Sequence, residues 1–192
     1  MKQSNIFCWL LLVFILMPIT SAVAREADLI GQMRAGNAVL MIRHALAPGF
    51  GDPDGFELND CTTQRNLNET GREQARAIGS WLRSRGIEKA KIYSSQWCRC
   101  LETARLMEMG EVTPLRALNS FFERPGDREP NLKALIRFIH ENTRPGELII
   151  MVTHQVTISG ITNKWADSGH GKLVRPATNG GIDILGELAF DQ

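Results

Sequence analysis

Charge of one sign, cysteines at metal-binding spacing and a hydrophobic run long enough to cross a bilayer are all missing from this chain. Its 22 Lys and Arg stand against 21 Asp and Glu, a formal net charge of +1. Lys2 is the sole charge of the first 24 residues, so the remainder is balanced. A balanced chain gives no electrostatic support to nucleic acid or an acidic membrane surface as partner, and its basic residues must matter by position. The four cysteines lack the paired spacings of a zinc site, so no metal is expected. No internal repeat and no linker divides the chain. The one long apolar stretch, Ile6 to Met17, is shorter than the roughly 20 residues a spanning helix needs.

That stretch has the form of a secretory signal: Lys2, an apolar core, Pro18, then the small-residue sequence Ala22-Val23-Ala24. An uncleaved anchor is the alternative. Cys8 lies inside the core and away from the cleavage point, which argues against a lipid-anchored form. The expected organisation is a signal peptide, 1–24, and a single domain, 25–192, in the periplasm or secreted, with no stable membrane insertion after cleavage. Export brings oxidising conditions in which a disulfide persists. Cys98 and Cys100 are too close to bridge each other, so Cys61–Cys98 is the expected pairing, with Cys61–Cys100 its alternative.

Three apolar segments read as strands, and each ends on polar residues. Ala38 to Ile42 runs into Arg43-His44-Ala45, Lys91 to Ser95 leads to Arg99, and Leu148 to Thr153 leads to His154. Between them, Asn68-Glu69-Thr70-Gly71 opens a helix to about Arg85, and a second helix continues from Gln96 through Leu106. A third starts at Asn131 and a fourth follows His154. Ala27 to Ala35 is a short leading helix. Pro114 to Leu118 reads as a short strand, Phe121 to Pro130 as a loop, and Lys172 to Arg175 with Gly181 to Leu185 as late, antiparallel edge strands. Strands alternating with helices predict an α/β domain, a three-layer α/β/α sandwich on a mainly parallel sheet. Ligands bind at the carboxyl ends of such strands. Two arginines and two histidines there predict one anion pocket with a nucleophilic imidazole inside it. The Pro48 to Gly55 loop, directly after His44, is its expected rim.

Four motifs carry a resemblance to the histidine phosphatase superfamily, the phosphoglycerate mutase-like clan. Arg43-His44-Ala45 stands for Arg-His-Gly, and the Arg65 to Gly71 segment for Arg-Pro-Leu-Thr-x-x-Gly. Ser94 to Ala104 stands for Ser-Ser-Pro-x-x-Arg-x-x-x-Thr-Ala, and Thr153-His154-Gln155 for Ser-His-Gly. The resemblance implies a phosphoglycerate mutase-like fold and a phosphomonoester hydrolase without cofactor. It implies that His44 takes the phosphoryl group covalently while Arg43, Arg99 and His154 hold its oxygens. Planar guanidinium donors suit that charge, and their proximity lowers the pKa of the imidazole, keeping it a nucleophile. Glu123 is the acid expected to protonate the leaving alcohol, with Asp127 and Glu129 behind it.

Arg65 is a further candidate for substrate contact, or else a surface salt-bridge partner. The substrate class spans phosphorylated small molecules, envelope sugars and phosphoproteins; a mutase is disfavoured by export. The departures are Ala45 for glycine, which questions any positive φ there, Gln96 for proline and Gln155 for glycine. They keep open a rival reading, a phosphate-binding or envelope-structural protein of the same fold that has lost turnover. His140 and His170 are assigned no role, Trp97 either packs in the core or covers the pocket, and the pair Phe121-Phe122 is expected in the core.

Overall fold

A computed structural model describes residues 19–190. The expected signal segment lies for the most part outside them, in residues 1–18. In chain order the elements are α1 (Ile19–Ala35), β1 (Ala38–Arg43), α2 (Glu69–Ser84), β2 (Lys91–Ser94), α3 (Cys98–Leu106), β3 (Val112–Pro114), α4 (Arg128–Asn142), β4 (Leu148–Thr153), α5 (Gln155–Thr162), β5 (Gly171–Pro176) and β6 (Ile182–Leu188). The six strands form one sheet in the order β3-β2-β4-β1-β5-β6. β3, β2, β4 and β1 pair in parallel, whereas β5 and β6 are added antiparallel at the β1 side.

Strand alternation divides the core into two layers. Leu40 and Ile42 of β1, with Ile150 and Val152 of β4, face α1, α2 and α3 through Met33, Ile78, Leu82, Cys100 and Ala104. Val39 and Met41, with Ile149 and Met151, face α4 and α5 through Leu135, Ile139 and Ile158. β1 and β4 are apolar along their lengths because both faces are covered, and the result is the expected three-layer sandwich. β1 and β4 pair with Arg43 opposite Thr153, and β2 and β4 with Ser94 opposite Val152. All three strands therefore end at the same level.

Two local expectations are corrected. The short strand lies at Val112–Pro114, and Arg116–Leu118 is a 3-10 turn. Pro114 has no N–H with which to extend the ladder, and Ala117 and Leu118 turn inward onto the α4 layer. The Phe121 to Pro130 segment is less open than a loop, because Pro125–Asp127 forms a 3-10 turn that feeds α4 from Arg128. Pro130 is accommodated in that first helical turn, where its missing N–H would have no intrahelical partner. α1 is also longer than expected, starting at Ile19 rather than Ala27.

Candidate active site

The parallel ladder continues one residue past each strand, the His44 N–H donating to Thr153 O (2.9 Å) and the Ser95 N–H to Val152 O (2.9 Å). These bonds fix the take-off of the three loops that build the site. α2 closes it from one side: the Asn68 side chain caps the helix by accepting the Gly71 N–H (2.8 Å). A Cβ at Gly71 would lie 2.1 Å from Leu46 O, so only glycine lets α2 approach the backbone that follows His44.

The rings of His44 and His154 meet edge to face with centroids 5.6 Å apart. His44 Nδ1 is 2.8 Å from Ala45 O. A carbonyl only accepts, so Nδ1 carries the proton and Nε2 keeps its lone pair. Arg99, in the first turn of α3, donates from Nε to that Nε2 at 3.3 Å. Burial, reinforced by Arg99, pushes the His44 pKa down to about 3, and the imidazole is neutral across the physiological range. His154 is depressed by the same two causes, burial first. Its Nε2 lies 2.8 Å from Ser95 Oγ and its Nδ1 3.5 Å from Arg99 Nη2.

Asp52 is the site residue that sequence reasoning missed. Its buried carboxylate grips Arg99 with two oxygens, accepting from Nη1 at 2.7 Å and Nη2 at 2.9 Å. It also accepts the Arg65 N–H at 3.0 Å and the Trp97 indole N–H at 3.0 Å. Burial alone would raise its pKa; the hydrogen bonds and charge of Arg99, with the Arg65 amide and the indole, outweigh that and hold it below the ordinary value. The one available signal was compositional, an acid inside a Gly-Pro-rich loop that follows a histidine surrounded by arginines.

Arg43, Arg65, Arg99, His44, His154 and Glu123 all line one cavity of about 200 Å³. Asp127 and Glu129 do not line it. Arg65 is no surface salt-bridge partner: its Nε donates to Gly51 O at 2.7 Å and its Nη1 to Ala47 O. Arg43 donates from Nη1 to Ala166 O (3.2 Å), and its Nε is the buried side-chain polar atom without a partner among the described residues. Glu123 Oε1 accepts the Asp52 N–H at 3.1 Å. α5 begins at Gln155, so its first turn abuts the cavity, which His154, Gln155 and Val156 line.

The three departures are absorbed locally. Ala45 is absent from the positive-φ residues and is buried, its N–H donating to Thr103 Oγ1 (3.1 Å); no glycine is required there. Gln96 is tied to Asn119 by both side chain and backbone. Gln155 joins Ser159 to the Ala166 N–H. Trp97 is buried, with its ring edge-on to His154. Of the phenylalanine pair, Phe121 is core and Phe122 is not: it lines the cavity. His140 Nε2 lies 2.8 Å from Gly181 O, and His140 does not line the cavity. Cys61 and Cys98 form a disulfide. Cys100 is a free, buried thiol whose pKa burial pushes up to about 12, which leaves it inert as a nucleophile.

In this three-layer sandwich the strand ends and the loops beyond them gather two neutral imidazoles and three guanidiniums around one small cavity, an arrangement suited to holding an anion beside an imidazole. The model of branch 1 of the histidine phosphatase superfamily matches residues 39–129, a span that holds Arg43, His44, Arg65, Arg99 and Glu123 and stops short of His154. No curated protein matches the chain. Solved structures share the fold at low identity. The protein histidine phosphatase SixA complexed with tungstate superposes with a TM-score of 0.58 at 14% identity, over 80% of this chain and 97% of that one. Phosphoserine phosphatase from Entamoeba histolytica in complex with phosphoserine gives 0.56 at 16%, over 80% and 97%. The alpha-ribazole phosphatase from Shigella flexneri gives 0.53 at 14%, over 77% and 94%.

Proposed function

We propose that this protein is an exported phosphomonoester hydrolase working through a phosphohistidine on His44. The carrying observation is the fixed tautomer: with Nδ1–H bound to Ala45 O, Nε2 is the unprotonated nitrogen, and its lone pair, which accepts from Arg99 Nε at 3.3 Å, is released to phosphorus when the guanidinium turns to the phosphate. In the first step Nε2 attacks phosphorus, forming the N–P bond as the P–O bond to the alcohol breaks, and Glu123 gives that alcohol its proton. In the second step water attacks phosphorus and the N–P bond breaks, returning Nε2 its lone pair and releasing inorganic phosphate. The Glu123 carboxylate takes the proton from that water.

The transferring group carries its charge on oxygens, so catalysis is mostly cationic positioning. Arg43, Arg99 and Arg65 supply that charge in this reading, and His154 stands beside the phosphate oxygens as a neutral hydrogen-bonding ring. The unpartnered Arg43 Nε supports the assignment: a buried donor without an acceptor costs about 1–3 kcal/mol, and a phosphate oxygen relieves it. The apolar amino-terminal segment ending at Ala24 and the Cys61–Cys98 disulfide support a periplasmic or secreted location. No helix among the described residues is long and apolar enough to cross a membrane.

Rapid quench into alkaline denaturant, in which the N–P bond survives, with a ³²P-labelled phosphomonoester tests the route. A labelled histidine at position 44, lost together with turnover in His44→Ala, is the expected result. Turnover retained by His44→Ala overturns the mechanism, and tight phosphate binding with neither label nor release favours the binding-protein reading.

A further inference from the structure

Resting on the phosphatase reading above, we propose that the leaving group this site accepts is a small one bearing a single apolar ring, aromatic by preference. Among the described residues three aromatic side chains are exposed, Phe50 (86%), Trp165 (63%) and Phe122 (45%). All three line the cavity that has His44 within it. They come from three separate segments: the loop after β1, the segment before α4 and the loop after α5. Large exposed aromatics are the informative exception on a protein surface, and three converging from separate segments on one opening form a collar.

The collar is held in place. Phe50 and Phe122 meet edge to face with centroids 4.9 Å apart. Trp165 anchors its indole N–H on Asp167 Oδ1 at 2.9 Å, and its ring centroid lies 5.7 Å from Arg43 Cζ. A phosphate bound by Arg43 therefore enters directly beside this ring, and the ester carbon points toward the aromatic faces.

Aromatic faces also stack on sugars, so the polar groups decide. A sugar is read by side chains free to pair with its hydroxyls, and most at this mouth are spent on the protein itself. Gln155 uses its amide nitrogen on Ser159 Oγ and its amide oxygen on the Ala166 N–H. Ser120 Oγ accepts the Phe122 N–H, Glu123 Oε1 the Asp52 N–H, and Arg65 donates to two backbone carbonyls. No lysine lines the cavity, and its three arginines are the ones assigned to the transferred phosphate. The volume, about 200 Å³, falls below the roughly 300–1,000 Å³ of sites for drug-sized ligands and limits the leaving group to about one ring.

Steady-state kcat/KM for 2-phenylethyl phosphate against ethyl phosphate tests this, because both leaving groups are simple primary alcohols. Glucose 6-phosphate is the third substrate. The expected preference for the phenylethyl ester over both is about ten-fold or more, from ring burial plus aromatic contact, and the ratio to ethyl phosphate collapses toward one in Phe50→Ala/Trp165→Ala. Calorimetric binding of 2-phenylethylphosphonate against ethylphosphonate reads the collar without turnover. Equal kcat/KM and equal phosphonate affinity overturn the ring preference and leave the phosphatase reading standing. A lead for glucose 6-phosphate overturns it in favour of sugars. No hydrolysis of any ester, with the phosphonate preference intact, overturns the reaction and upholds the collar.

Discussion

Replacing Asp52 by alanine strips the Arg99 guanidinium of its carboxylate and leaves its terminal nitrogens only Arg65 O at 3.2 Å and His154 Nδ1 at 3.5 Å. The lost contacts are the pair at 2.7 and 2.9 Å to Arg99, together with acceptance of the Arg65 amide and the Trp97 indole. Arg99 is as buried as its partner, so the variant keeps an uncompensated charge inside, a defect worth about 3–5 kcal/mol. For a domain of this size each kcal/mol lowers Tm by roughly 2–4 °C, which makes the expected fall about 6–20 °C. Asp52→Asn keeps the volume and one acceptor and loses less. Catalysis responds in two opposed ways: without the carboxylate the pocket is more positive and inorganic phosphate inhibits at lower concentration, yet Arg99 Nε is no longer aimed and kcat falls. A ceiling for that fall is the roughly 10²–10³-fold cost of one oxyanion donor. Circular dichroism melts and phosphate inhibition constants measure the two effects separately. The sign with pH is also fixed. The depressed Asp52 pKa means its contribution is complete above the ordinary carboxylate value, about 3.9, and disappears only as pH falls through the lower folded value. The Tm gap between wild type and Asp52→Ala is therefore flat from about pH 5 to 8 and closes below about pH 4. A variant that melts within about 2 °C of wild type and keeps its kcat would refute the positioning argument.

The remaining predictions concern other parts of the site. His44 and His154 both have depressed folded pKa values, so the unfolded chain binds more protons below about pH 6.5 and stability declines on acidification from there, by about 1.4 kcal/mol per pH unit for each histidine. Urea midpoints measured between about pH 4 and 7 show the slope, which His44→Asn makes shallower. Arg99→Ala lowers kcat/KM by about 10²–10³-fold in steady-state assays. Glu123→Gln lowers kcat/KM, which reports the first step, by about 10²-fold for alkyl phosphates and leaves it nearly unchanged for p-nitrophenyl phosphate, whose leaving group needs no proton; equal losses of kcat/KM on both would remove Glu123 from the acid role. Cys61→Ser opens a loop with a sequence separation of 37, and chain entropy sets the loss near 4 kcal/mol in denaturant titration.

The sheet was legible because strands covered on both faces are written as unbroken apolar runs, and β1 and β4 have no other reading. Their common end level was legible too: Arg43, His44 and His154 each stand at or just beyond such a run, and Arg99 lies in the first turn of the helix that follows β2. What lay beyond reach were features decided by distance through space. A three-residue edge strand has no periodicity, and its place at Val112–Pro114 depends on where β2 leaves its own edge open. Phe121 and Phe122 are identical neighbours in the sequence, and only the entry angle of the 3-10 turn decides that one is core and the other lines the cavity.

Asp52 illustrates the same limit at the site. An acid among glycines and prolines is the ordinary composition of a solvated turn, and nothing local marks it as buried. What requires it is the sum of charges: Arg43, Arg65 and Arg99 converge on one small cavity, and such a cluster without substrate needs a permanent counter-charge that does not itself occupy the phosphate position. Asp52 meets both conditions, since it grips the two terminal nitrogens of Arg99 and leaves Nε turned to His44. The loop that carries Phe50 at the mouth thus carries, two residues later, the carboxylate that orients the floor, so substrate contact at Phe50 and the aim of Arg99 share one short backbone segment.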